Sequence, residues 1–186
     1  MRVLLVGLPF LLGLVVGQCG AQEGAPEVAE VVREDVPDHE SWGTHFYVSQ
    51  DGRPRMVITA DYMAEYERED STYMLLTGMD SSRVTLRLFD DEGQPSATLT
   101  AQRIYYYEDE KRLDAQGDVV VQTPGGRRLE TEDLRWDEQA RTVTTPGFVR
   151  ITTEQEVVQG YALEADEDLA TYRLRRVTGR RRVEEE

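Results

Sequence analysis

His39 and His45 are the only histidines in the chain. With Asp38 and Glu40 beside them, they form the one sequence-local set of nitrogen and oxygen donors that suggests a metal. Structural or surface roles explain the pair more simply, and no metal is expected. The turn Asp90-Asp91-Glu92-Gly93 offers oxygens of the kind calcium takes, but the same residues are ordinary hairpin-turn chemistry. Carboxylate pairs of the glycoside-hydrolase type can be drawn almost anywhere among 36 acidic side chains, and nothing selects one of them. The chain has no Ser-His-Asp signature, no G-x-S-x-G and no phosphate-cradling loop. Pro124-Gly125-Gly126 and Pro146-Gly147 read as turns. No catalytic residue and no cofactor are expected, and the chain does not read as an enzyme.

Cys19 is the one remaining residue with distinctive chemistry. It is the only cysteine, so no intrachain disulfide can form. Arg2 supplies a positive charge ahead of an apolar run from Val3 to Val16, broken by Gly7, Pro9 and Gly13. Val16-Gly17-Gln18-Cys19 then follows. Residues 1–18 fit a signal peptide and are short for a membrane span, which needs about 20 apolar residues. The cysteine's place resembles a bacterial lipobox, where the thiol takes lipid and becomes the new N-terminus. Gln18 departs from the small residue usual there. A plain secretory signal or an uncleaved short anchor are the alternatives. All three place the rest of the chain outside the cytoplasm, and the anchored forms put it at a membrane surface.

The elements that must carry any site are strands. The 186 residues allow one main domain. A net charge of −15 argues against nucleic acid and against a polybasic grip on anionic lipid. Residues 19–41, rich in Gly, Ala, Pro and acids, read as a tether. Residues 42–180 read as the domain and residues 181–186 as a charged tail. Within the domain, Val84-Thr85-Leu86-Arg87-Leu88, Ala97 to Ala101 and Val149 to Thr152 alternate apolar with polar, the mark of strands with one buried face. Asp51-Gly52, Asp91-Glu92-Gly93, Gln116-Gly117-Asp118 and the two Pro-Gly sites separate such runs as hairpin turns. Tyr62 to Asp70 fits a helical turn or a strand. A repeat is visible as well. Leu99-Thr-Ala-Gln-Arg-Ile is echoed by Leu129-Glu-Thr-Glu-Asp-Leu, by Leu163-Glu-Ala-Asp and more faintly by Ile58-Thr-Ala-Asp-Tyr-Met. Stacked hairpins of this kind share an interior that a lone hairpin cannot bury.

Several segments in order carry a family resemblance: Leu99-Thr-Ala, Tyr105-Tyr-Tyr, Leu113-x-Ala-x-Gly-Asp-Val-Val-Val, Gly126-x-x-Leu129-x-Thr131-x-x-Leu134-x-Trp136-Asp137 and Gly160-Tyr-Ala-Leu-Glu-Ala-Asp. Together, over about residues 45–180, they resemble the LptC family of lipopolysaccharide-export proteins. The resemblance implies an all-β jelly-roll of stacked antiparallel strands, open along one side, on the periplasmic face of the inner membrane. It implies lipopolysaccharide as cargo, the LptB/LptF/LptG ABC transporter as donor and an LptA-like periplasmic protein as acceptor. Many members carry an N-terminal transmembrane helix where this chain carries its lipoprotein-like signal, which leaves the anchor type open.

Val84, Leu86, Leu88, Leu99, Ala101, Val119, Val121, Leu129, Leu134, Trp136, Val149 and Ile151 share one face if alternation holds, and the resemblance makes that face a lipid groove. The core of a closed sandwich has the same alternation, so periodicity does not separate the two. The expected edge strands lie near Phe46 and Val48 and near Tyr172 and Leu174. An unpaired sheet edge there could accept a partner by strand addition.

Overall fold

The computed structural model describes residues 36–182; Cys19, the signal segment, most of the tether and the last residues of the tail lie outside them. Eleven strands follow one another: β1 His39–Gln50, β2 Arg53–Glu67, β3 Thr72–Thr77, β4 Val84–Phe89, β5 Pro95–Ala101, β6 Arg103–Tyr107, β7 Arg112–Gln122, β8 Arg128–Asp137, β9 Thr142–Thr152, β10 Glu156–Asp166 and β11 Tyr172–Arg182. All belong to one antiparallel sheet, and no helix occurs among the described residues. The first strand starts three residues ahead of the expected boundary at 42. Tyr62 to Glu67 is strand, not helical turn.

Two levels of the stack are each made of two short strands. One half of β2 pairs with β4 (Met56↔Leu88 to Thr59↔Thr85) and the other with β3 (Tyr62↔Thr77 to Glu67↔Thr72). In the same way β7 pairs with β5 at one end and with β6 at the other. Each full rung therefore crosses two leaves. The upper leaf holds β4, β5 and the hairpin tips Asp51–Gly52, 90–94, 123–127 and 153–155. The lower leaf holds β3, β6 and the tips 68–71, 108–111, 138–141 and 167–171.

The sheet bends between the leaves, and side-chain spacing shows how. Along β8 the inward residues are Leu129, Thr131, then Leu134 and Trp136. The step is two, then three, then two. Leu99, Ala101, Ile104 and Tyr106 repeat it across β5–β6, and Val158, Gly160, Leu163 and Ala165 repeat it on β10. The ladder slips at the three-residue step, between Thr131 and Arg135 and between Tyr161 and Leu163. An extra residue in one strand is a bulge, which bends the strand and re-aims its side chains. The visible repeat is thus a bent rung. Its third copy runs from Val158 to Ala165, not from Leu163, because the corner and not the composition sets the register.

The two leaves meet face to face. The Phe46 ring, on the upper-leaf half of β1, lies 5.9 Å from that of Tyr106 on β6. The inward side chains of both leaves form one continuous core from Met56 to Leu169. Among the described residues, the edges of the stack are β1, bonded only to β2, and β11, bonded only to β10. On β7 the corner falls at Gly117 and Asp118, with φ of 81° and 46°. Glycine takes this left-handed conformation without strain, and a Cβ on Gly117 would sit 2.6 Å from the Gln102 side chain. Gly117→Ala should therefore cost about 1–3 kcal/mol. Urea unfolding followed by the fluorescence of buried Trp136 checks this; an unmoved midpoint would show that the corner does not depend on glycine.

Candidate functional site: an apolar interior between two open edges

The twelve residues singled out by alternation all turn inward. Leu88 is the most exposed of them at 7%, and all twelve belong to the one core. Val84, Leu86 and Leu88 come from β4, Leu99 and Ala101 from β5, Val119 and Val121 from β7, Leu129 from β8, and Val149 and Ile151 from β9. These line the upper leaf. Only Leu134 and Trp136 lie beyond the corner. The facing wall was missed: Leu76, Ile104, Tyr106, Leu113, Val143 and Leu163 are equally buried. The repeat could have found part of it, since Ile104 and Tyr106 occupy the places of Leu134 and Trp136 one rung away. In this conformation the leaves' own side chains fill the interior.

The interior reaches both ends of the stack. At the β11 end an open pocket of about 250 Å³ is lined by Glu156, Val158, Tyr172, Leu174, Val177 and Arg180. Its rim is polar: Arg180 donates to Glu156 at 2.6 Å, and the Tyr172 hydroxyl lies 3.3 Å from the same carboxylate. Burial and the nearby Glu156 raise the Tyr172 phenol above its ordinary range. Phe46, Val48, Tyr172 and Leu174 are half-buried against the core. At both edges it is the backbone, not these side chains, that is left open. The β11 edge is also basic, with Arg173, Arg175, Arg176, Arg180, Arg181 and Arg182 exposed on a strongly acidic chain.

The residues first considered for metal chemistry have structural work. Asp38 accepts from the Glu67 amide and from Arg68, both at 2.8 Å, and these bonds hold its carboxyl below the usual range. His45 Nδ1 lies 3.2 Å from the Thr59 hydroxyl, and His39 sits opposite Glu65 at the start of β1. The Asp90 carboxylate accepts from the Glu92 and Gln94 amides and shapes its turn. Asp91 pairs with Arg55 and Arg141.

A second feature was not legible from alternation. The outer side of the lower leaf is aromatic: Tyr66 stacks on Tyr73 at 4.9 Å, and Tyr73 contacts Tyr105 and Tyr107. Trp42 lies on Tyr62 at 5.7 Å. The Tyr62 hydroxyl donates to Glu40 at 2.6 Å, which pushes the phenol up to about 12.

Removing a side chain from the inner wall leaves a void that rigid strands do not close. Leu86→Ala, at a position with no solvent exposure, should cost about 2–5 kcal/mol. Equilibrium denaturation measures it, and a loss well under that range would show a wall able to collapse.

A family model described as "Lipopolysaccharide-assembly, LptC-related" matches residues 8–181. No curated protein matches the chain. The family match spans both leaves, both edges and part of the N-terminal apolar run, and the all-β architecture expected from that resemblance is the one found. The chain belongs to the LptC family, whose members act in lipopolysaccharide transport as periplasmic components associated with the inner membrane.

Proposed function

We propose that this chain receives lipopolysaccharide from the inner-membrane ABC transporter formed by LptB, LptF and LptG and passes it to an LptA-like periplasmic protein. The acyl chains travel along the interior between the leaves. The observation that carries this reading is a single apolar face, unbroken from the β1 edge to the β11 edge, with a free strand at each end. Each methylene leaving water for such a face gains roughly 0.8 kcal/mol, so the lipid is held without a covalent step or a cofactor. Neighbouring domains dock by adding a strand to β1 and to β11, which brings their apolar faces into line with this one. Direction comes from ATP use by the transporter. An N-terminal anchor, with Cys19 as the acylated residue, keeps the domain at the membrane.

The filled interior favours a second reading, an envelope lipoprotein that serves assembly without carrying lipid. A photo-crosslinker at Leu99 or Val149 separates the two. Transport predicts a lipopolysaccharide adduct in living cells from either position; no adduct from several inward positions would leave the assembly role. Mass spectrometry of the mature N-terminus reads the anchor directly: diacylglycerol on Cys19 is expected, and an unmodified or uncleaved N-terminus would remove it from the scheme.

A further inference from the structure

The leaves are joined along their corners, so their hairpin tips form a mouth on the opposite side. Two ion pairs cross that mouth. Arg141, at the β8–β9 tip of the lower leaf, donates through Nη1 to Asp91 Oδ2 at 3.0 Å on the β4–β5 tip of the upper leaf. Arg55, at the start of β2 in the upper leaf, lies 4.0 Å from Glu138 on the lower-leaf tip. Asp91 takes both arginines, since Arg55 also reaches its Oδ1 at 3.2 Å. Arg141 is held in turn by Glu167 on the β10–β11 tip, with Nη2 at 2.7 Å from Oε1. The same tip supplies Leu169, a turn residue at φ 57° with no solvent exposure, packed into the core. Arg141 on the β8–β9 tip takes the same left-handed conformation, at φ 53°, but the β10–β11 tip uses it to point an apolar side chain inward from the mouth. Just outside, a polar slot of about 480 Å³ separates the tips, lined among others by Asp90, Arg127, Arg141 and Glu167.

The closure is under-satisfied. Arg55 and Glu138 are largely buried, yet Arg55 Nε and Glu138 Oε2 have no hydrogen-bond partner. A buried pair with incomplete hydrogen bonding recovers little of its desolvation cost, so parting it into water is cheap compared with breaking a fully bonded pair. The backbone ladders lie along the stack, within each leaf, and among the described residues none crosses the mouth.

From this we propose that the row of tips is a lateral port. Asp91–Arg141 and Arg55–Glu138 latch it, Leu169 stoppers it, and an acylated amphiphile enters the interior sideways by parting the tips. The inference rests on the transport reading for its cargo, and its test does not. Ala97→Cys, in the full chain, places a thiol on the inner wall of β5, next to Leu88 and close to the mouth. Its alkylation by iodoacetamide is followed by mass spectrometry of the peptide containing position 97. Arg141→Glu, which sets like charges against Asp91 and Glu167, should speed the reaction about tenfold while the protein still melts cooperatively. Should Arg141→Glu not fold, Asp91→Asn, a milder change at an exposed side chain, should act in the same direction. Arg150→Glu, the same charge change on the outer face, should leave the rate unchanged. Equal rates in folded latch variants and in the Ala97→Cys parent, whose latch is intact, overturn the port. A crosslinker at Leu88 then separates the two readings. Faster alkylation with no lipopolysaccharide adduct keeps the port and removes the cargo. An adduct without faster alkylation keeps the cargo and removes the port.

Discussion

A strand that bends back over its own sheet has to keep the same side chains inward on both sides of the bend, and a strict two-residue alternation fails at the corner. This chain meets the constraint with a three-residue step at the corner of β8 and β10, against which β7 and β9 each carry one residue more. Leu129-x-Thr131-x-x-Leu134-x-Trp136 is the plain form, and the same spacing recurs across β5–β6 and on β10. Partner rungs absorb the mismatch differently. On β7 the left-handed Gly117-Asp118 pair does it, and on β9 the corner falls at Pro146-Gly147, between inward Thr145 and Val149. Proline suits a place where a ladder hydrogen bond is already interrupted. Thr131 ties this break down, donating to the Phe148 carbonyl at 2.8 Å. The two leaves, their shared core and the position of the mouth follow from where these corners fall.

The same constraint explains what could be read in advance. Upper-leaf strands are short and regular, so Val84, Leu86, Leu88, Leu99 and Ala101 were visible as one face from alternation alone. The lower-leaf wall lies past the bulge, where the phase has slipped by one residue. Ile104 and Tyr106 then fall on the opposite parity to Leu99 and Ala101, whereas Leu113 and Val143 keep the parity of Val119 and Val149 across their corners. The repeat was legible because the corner motif is its strongest part, but its third copy was set by composition at Leu163, whereas the corner sets it at Val158. Leu169 showed only as the second apolar place of the echo that begins at Leu163, with nothing to mark it as buried. A leucine in an acidic turn reads as exposed, and only the tertiary placement of the β10–β11 tip buries it. Glu138 and Arg55 likewise look like surface charges, since neither leaf shows in sequence that the other lies over it.

The edges show a different balance. A free strand is an aggregation hazard unless it is charged, short or covered, and β11 is eleven residues long and, among the described residues, uncovered. Its arginines supply the protection. They leave one end of a chain of net charge −15 locally positive, repelling another β11 edge and favouring an acidic partner surface. On β1 the outward side chains are different: Trp42 and Tyr47 are about two-thirds exposed, at 65% and 67%. The two edges are therefore chemically distinct, and a partner suited to one is not suited to the other. That asymmetry gives a stack with two open ends a direction.

A packed core and a lipid path are often treated as alternatives, yet here the hydrogen bonds do not make them so. Among the described residues, every backbone ladder joins neighbouring rungs within a leaf. Between the leaves there are side chains, and at the mouth a few ion pairs. An acyl chain that parted the leaves would exchange leaf–leaf contacts for lipid–leaf contacts of the same apolar kind, leaving the area removed from water nearly unchanged. The ladders would stay intact, because separating the tips flexes the corners, where the bulges have already interrupted the pairing. The cost of opening then falls on the polar seam and on Leu169, which are small beside the core. For a sandwich held by disulfides, or by strands that crossed from one sheet to the other at the mouth, the same argument would fail. In this fold the strands cross only at the corners, and the open side is left to groups that water or a lipid headgroup can replace.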